Sequence, residues 1–145
     1  MGWYGNCFAL PLKLSMFRPT VKKPVTKVLV IEDEGDMCLL LELLLDGKGM
    51  AVDHVRSLSD AREFLENEQP SLIVLDNRLP DGLGIDFIGF LKKEYPAIKI
   101  LMISGVDVAA GDVALEIGAD TFLPKPFTQS QLNSSVNTLL TEVRA

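Results

Sequence analysis

The chain reads as a doubly wound α/β domain, a five-stranded parallel sheet with helices on both faces, and three observations predict it. After Lys27, short apolar runs alternate with helix-period patterns, the signature of consecutive βα units. The runs Val28-Leu29-Val30-Ile31 and Leu72-Ile73-Val74-Leu75 lack polar alternation, as strands covered on both faces do. Both runs end in acid, at Glu32-Asp33 and at Asp76.

Strands are expected near residues 27–32, 51–56, 72–76, 98–103 and 120–124. The first helix carries Met37, Leu40, Leu41, Leu44 and Leu45 at the spacing of a buried stripe, and Gly47 and Gly49 end it. The second runs from a Ser59 cap through Ala61, Phe64 and Leu65 and stops before Pro70. The third follows Gly84 and buries Ile85, Ile88 and Leu91. The fourth, roughly 108–117, is the weakest, because Gly111 lies inside it and Val108 and Val113 are mediocre helix formers. The fifth opens with a Thr128 to Gln131 capping box and buries Leu132, Val136, Leu139, Leu140 and Val143.

Residues 1–24 hold Gly2, Gly5, Pro11, Pro19 and Pro24 without a sustained period, and read as a leader outside the fold, which occupies 25–145. Met1-Gly2 does not make a myristoylation site, since the sixth residue is Asn6 and not Ser or Thr. Trp3, Tyr4, Phe8 and Phe17 suit docking on a partner or on the domain itself; the competing reading is a remnant ahead of a start at Met16.

Residues 1–27 contain five Lys or Arg and no acid, which leaves nine bases against twenty acids in the body, a formal charge of −11. A body of that sign repels phosphate backbones, so the folded part is not expected to bind nucleic acid. The apolar stretch Met37 to Leu45 is broken by Glu42 and falls far short of the roughly 18 residues of a membrane span. Cys7 and Cys38 form no disulfide framework, and two free thiols suit a reducing cytoplasm. One histidine, His54, cannot supply a histidine-rich metal centre and reads as a surface residue at a strand end, whereas Cys38 reads as a small apolar group on the first helix.

In an open α/β sheet, ligands bind beyond the carboxyl ends of the strands. The polar residues there are Glu32, Asp33, Asp76, Ser104 after Ile100-Leu101-Met102-Ile103, and Lys125 after Phe122-Leu123-Pro124. Each alone has an ordinary reading: a helix-capping acid pair, a turn-capping Asp, a Ser-Gly turn, a solvated lysine. Together at successive strand ends, they point to chemistry. Crowded carboxylates call for a divalent cation or a raised pKa, and oxygen ligands of this kind suit Mg²⁺. Lys125 and Ser104 can meet phosphoryl oxygens, so the residues describe a carboxylate that accepts a phosphoryl group.

With these residues in view, 27–143 resembles the receiver domain of bacterial two-component response regulators, in its stand-alone chemotaxis-regulator form. Glu32-Asp33 matches the acidic pair, Asp76 the phosphoacceptor, Asp76-Asn77-Arg78-Leu79-Pro80-Asp81-Gly82-Leu83-Gly84 the following loop, Ser104 the hydroxyl, and Phe122 with Lys125-Pro126-Phe127 the aromatic switch and lysine. The resemblance implies the flavodoxin-like strand order 2-1-3-4-5, which makes the last strand an edge and so tolerates Pro124 within it. It implies Mg²⁺ bound by Asp33, Asp76 and the backbone carbonyl of Arg78, with Glu32 acting partly through water, and a cis Lys125-Pro126 bond. Lys125 would pair with Asp76 before phosphorylation and with the phosphoryl group after it. Ser104 would then swing toward the phosphate and let Phe122 turn inward, remodelling the surface of the fourth helix, fifth strand and fifth helix. Glu32 replaces the more frequent Asp, and Arg78 stands where it can tune access of the hydrolytic water.

The implied partners are a sensor histidine kinase or histidine phosphotransfer protein and a downstream protein, in the cytoplasm and away from membranes. Leu39 and Leu43 should project beside the first helix's core stripe as a docking patch for the donor; the competing reading is contact with the fifth helix. A self-directed switch that acts on no free substrate is expected, as a stand-alone protein or as a receiver from a hybrid kinase or longer regulator. The rival from another class is a Mg²⁺-dependent phosphatase with an aspartyl nucleophile; its usual second Asp two positions on is replaced by Arg78.

Overall fold

A computed structural model describes residues 25–105 and 108–144, and the leader 1–24 lies outside them. The strands are β1 (Lys27–Ile31), β2 (Ala51–Val55), β3 (Leu72–Asp76), β4 (Lys99–Ser104) and β5 (Thr121–Pro124). The helices are α1 (Gly35–Asp46), α2 (Leu58–Leu65), α3 (Gly84–Glu94), α4 (Val108–Ile117) and α5 (Gln129–Arg144). All five strands are parallel in the order β2-β1-β3-β4-β5. The expected doubly wound sheet and its order are therefore present, with Pro124 on the β5 edge.

Side-chain alternation splits the core into two layers. Leu29, Ile31, Ile73, Leu75, Ile100 and Met102 face α2, α3 and α4, whereas Val28, Val30, Leu72, Val74, Leu101 and Ile103 face α1 and α5. Burial is complete along β3 and nearly so along β1 and β4, which is why their sequences show no polar alternation.

Several helix details differ from the sequence reading. On α1 the buried residues are Cys38, Leu41 and Leu45, with Met37 and Leu44 packed at the margin, while Leu40 is 41% exposed. The stripe runs 38, 41, 45, and Leu40 falls off its edge. The cap of α2 is Ser57, whose hydroxyl accepts from the Asp60 amide at 3.1 Å; the Ser59 amide is engaged elsewhere. Phe87, unforeseen, is buried on α3 beside Ile88 and Leu91, and Ile85 is only partly covered. The α5 box forms as expected, with Thr128 N–H to Gln131 Oε1 at 2.8 Å and Gln131 N–H to Thr128 Oγ1 at 3.0 Å. The side chain of Val143 lies outside the described residues.

Between β3 and α3, Arg78–Leu79 pairs antiparallel with Gly82–Leu83 across Pro80-Asp81. This loop is pinned at both ends. The Asp81 carboxylate accepts from the Leu58 and Ser59 amides at 2.9 Å each, capping α2 from outside, and those bonds lower its pKa. Gly84 packs so closely on the strand end that a Cβ there would run into the Asp76 carbonyl oxygen, with Leu75 Cγ 3.0 Å away. Gly84→Ala should therefore destabilise the chain by on the order of 3 kcal/mol in urea unfolding, whereas Gly89→Ala, inside α3 with nothing within 4 Å, should stabilise it by up to about 1 kcal/mol.

Candidate functional site

Parallel topology brings the carboxyl ends of β1, β3, β4 and β5 to one edge, and the polar residues singled out in the sequence gather there. Glu32 follows β1 and is 1% exposed; Asp76 ends β3 and is 5% exposed; Asp33 projects toward solvent. One carboxylate oxygen from each of Glu32, Asp33 and Asp76 can be chosen so that all three lie within 4.8 Å of one another. Three hard oxygen donors at that spacing fit a divalent cation such as Mg²⁺.

The sole ammonium group ion-paired to this cluster among the described residues comes from Lys125. Its Nζ lies 3.1 Å from Glu32 Oε2 and 3.2 Å from Asp76 Oδ1. Lys125 is placed by its backbone amide, which donates to the Ser104 carbonyl at 2.9 Å, and the bond to Pro126 is cis, as the resemblance implies. Direct pairing of Glu32 with Lys125 is a finding the sequence did not supply, since the residues are 93 apart in the chain. The extra methylene of Glu over Asp gives the acid the reach to meet the ammonium. The second Glu32 oxygen accepts from the Glu34 amide at 3.2 Å.

The electrostatics are those of an under-neutralised cluster. Burial pushes the Glu32 carboxyl above its ordinary range and the Asp76 charge raises it further, with the Glu34 amide and Lys125 opposing. Burial likewise raises Asp76, with Lys125 opposing. Burial draws the Lys125 ammonium down, but the Asp76 and Glu32 carboxylates outweigh it and leave its pKa raised.

Ser104 ends β4 with its side chain buried, and Asn77, next to Asp76, donates its amide to the Ile103 carbonyl at 3.2 Å, tying β3 to the strand that carries Ser104. Arg78 is exposed on the loop. Phe122 stands apart, its ring directed at α4: a Cβ built on Gly111 would lie 2.5 Å from ring Cδ2. The glycine that weakens α4 as a helix thus makes room for an aromatic ring. His54 is not the plain surface residue expected. It is half-buried, with Nε2 3.0 Å from the Glu32 carbonyl oxygen and 2.6 Å from Cys38 Sγ, while Sγ lies 3.2 Å from the same oxygen. Cys38 is buried as expected, and desolvation pushes its thiol up to about 11. Both side chains thus satisfy the backbone of the acid pair, a role visible only through the β1–β2 register.

Residues 28–137 match the family model for the response regulator receiver domain. The chain is 33% identical over 132 residues to the alkaline phosphatase synthesis transcriptional regulatory protein SphR of Synechococcus elongatus, covering 84% of this chain and 51% of that protein. It is 34% identical over 117 residues to the KDP operon transcriptional regulatory protein KdpE of Escherichia coli, covering 80% and 52%. The chain thus spans about half the length of these relatives. A two-component response regulator from Clostridium difficile superimposes with a TM-score of 0.78 at 25% identity, covering 83% of this chain and 99% of that one. Among the described residues, no helix is long and apolar enough to cross a membrane.

The crowding has a measurable sign. With folded-state pKa values raised, the folded chain holds protons that the unfolded chain releases, so the two carboxyls cost stability as pH rises through that window. In EDTA at about pH 7.5, Asp76→Asn should therefore be more stable than the parent by on the order of 1 kcal/mol in urea melts, and the gap should close as pH falls toward the ordinary carboxylate range. A gap that widens on acidification would contradict the repulsion.

Proposed function

This chain belongs to the response regulator receiver domain family of two-component systems, and on that premise we propose that it accepts a phosphoryl group on Asp76 from a histidine kinase or histidine phosphotransfer protein in the cytoplasm. The observation that carries the reading is the Lys125 ammonium held between the buried carboxylates of Asp76 and Glu32, with Asp33 alongside. One Asp76 oxygen attacks the phosphorus, the bond from phosphorus to the donor's imidazole nitrogen breaks, and the electron pair leaves with the imidazole. Lys125 gives up its contact with Asp76 and moves to a phosphoryl oxygen, so the charge it already faces is exchanged for a larger one. Glu32, Asp33, Asp76 and the main-chain carbonyl of Arg78 would hold Mg²⁺, which supplies neutralisation of the transferring oxygens. Ser104 donates to the phosphoryl group, and the cleared space admits Phe122, which leaves its place against Gly111 and alters the α4-β5-α5 face read by a downstream protein.

Leu39 and Leu43, 57% and 64% exposed, form the donor's docking patch beside the site. The spacing of acids also leaves the phosphatase reading without its second aspartate, because that position holds the exposed Arg78.

Incubation with acetyl phosphate and Mg²⁺ should give a single phosphoryl adduct by intact mass spectrometry, absent in EDTA and absent in Asp76→Ala; an adduct that survives Asp76→Ala sinks the assignment. Leu43→Asp should slow transfer from a donor domain by about tenfold while acetyl phosphate still labels the chain, and equal slowing of both would remove the docking patch. Gly111→Ala should displace the Phe122 ring at a net cost of up to about 2 kcal/mol, the overpacking being partly offset by a helix-propensity gain of about 1 kcal/mol, and should bring the α4 and β5 amide shifts of the unmodified chain toward those of the beryllofluoride form.

A further inference from the structure

Beside β2, three apolar residues, Leu39, Leu43 and Val52, and two acids, Glu42 and Asp46, line a groove of about 300 Å³. Its helix adds Asp36 in the first turn and has no basic residue in the last, so the negative charge along this face is uncompensated within α1. The chain enters the fold immediately alongside. Lys27 pairs in register with Ala51 and Val28 with Val52, and the Thr26 carbonyl accepts from the Ala51 amide at 2.8 Å. The segment ahead of that point carries Lys13, Arg18, Lys22 and Lys23 without one acid, together with Trp3, Tyr4, Phe8 and Phe17. Its composition is the complement of the groove: cations for Glu42 and Asp46, aromatic and aliphatic side chains for Leu39, Leu43 and Val52.

We infer that residues 1–24 dock in the α1–β2 groove of their own chain and cover the Leu39–Leu43 patch. Twenty-four residues span up to about 80 Å when extended, so reach does not limit the contact. Tethering makes the encounter intramolecular, with an effective concentration in the millimolar range, which turns a weak apolar and ionic contact into an occupied one. The ionic share is solvent-exposed and is weakened by salt. A donor domain must displace the segment to reach Asp76, so the leader restrains phosphotransfer. That consequence rests on the function proposed above, whereas the docking itself does not.

The natural thiols provide the test on the full chain. Cys38 is buried and its thiol is pushed up to about 11, so a nitroxide reagent attaches to Cys7. In ¹⁵N spectra, amides of 39–46 and of Val52 should broaden selectively relative to the reduced label, and should do so equally when labelled chain is diluted with unlabelled, isotope-free chain. The broadening should vanish with Leu43→Asp, with Glu42→Lys and Asp46→Lys together, or with Lys13→Glu, Arg18→Glu and Lys22→Glu together, and should weaken with added salt. The triple leader variant should also take a phosphoryl group from a donor domain about threefold faster than the parent. Broadening that is absent, that is centred on α4 or α5, or that disappears on dilution overturns the inference, the last result assigning the groove to a second copy. If no donor labels Asp76, the proposed function falls while the broadening pattern still decides the docking.

Discussion

One ammonium group facing two buried carboxylates is the constraint around which this molecule is arranged. Lys125 reaches both Asp76 and Glu32 because β5, on the sheet edge, ends level with β1 and β3, and because the Ser104 carbonyl holds its backbone. Two negative charges against one positive leave a local deficit that burial amplifies. The sheet imposes this, since its two apolar layers fix where each strand stops, and the acids cannot separate without breaking strand register.

The fold was legible because its central strands are covered on both faces and carry uninterrupted apolar residues, and because the turns and caps between them use residues with specific backbone roles. The acids, the hydroxyl and the lysine were legible as strand-end interruptions. What escaped the sequence shares one property: it depends on residues brought together by register and not by spacing. His54 and Cys38 meet at the Glu32 carbonyl only because β2 lies beside β1, and Asp81 finds the free amides of α2 from across a loop. Leu40 and Ser59 were misplaced by a single turn's phase, since adjacent serines and leucines offer more than one capping residue or stripe to a helix whose start is set by tertiary contacts.

Gly111 shows how a local weakness serves a distant residue. Read along the chain it is a poor helix position; read across the core it is the space that the Phe122 ring fills. A larger residue would strengthen α4 and remove that resting place. Helix propensity and aromatic packing compete at this one position, and the smallest side chain resolves the competition in favour of the ring.

The Asp81 bridge has a consequence for how this scaffold tolerates change. It clamps the turn after β3 to α2, Gly84 seats the far end against Asp76, and Leu79 is buried between them, so the backbone around Arg78 is held by contacts other than those of the exposed Arg78 side chain. That position is a knob mounted on a rigid panel: its side chain can be exchanged while the framework underneath keeps its shape.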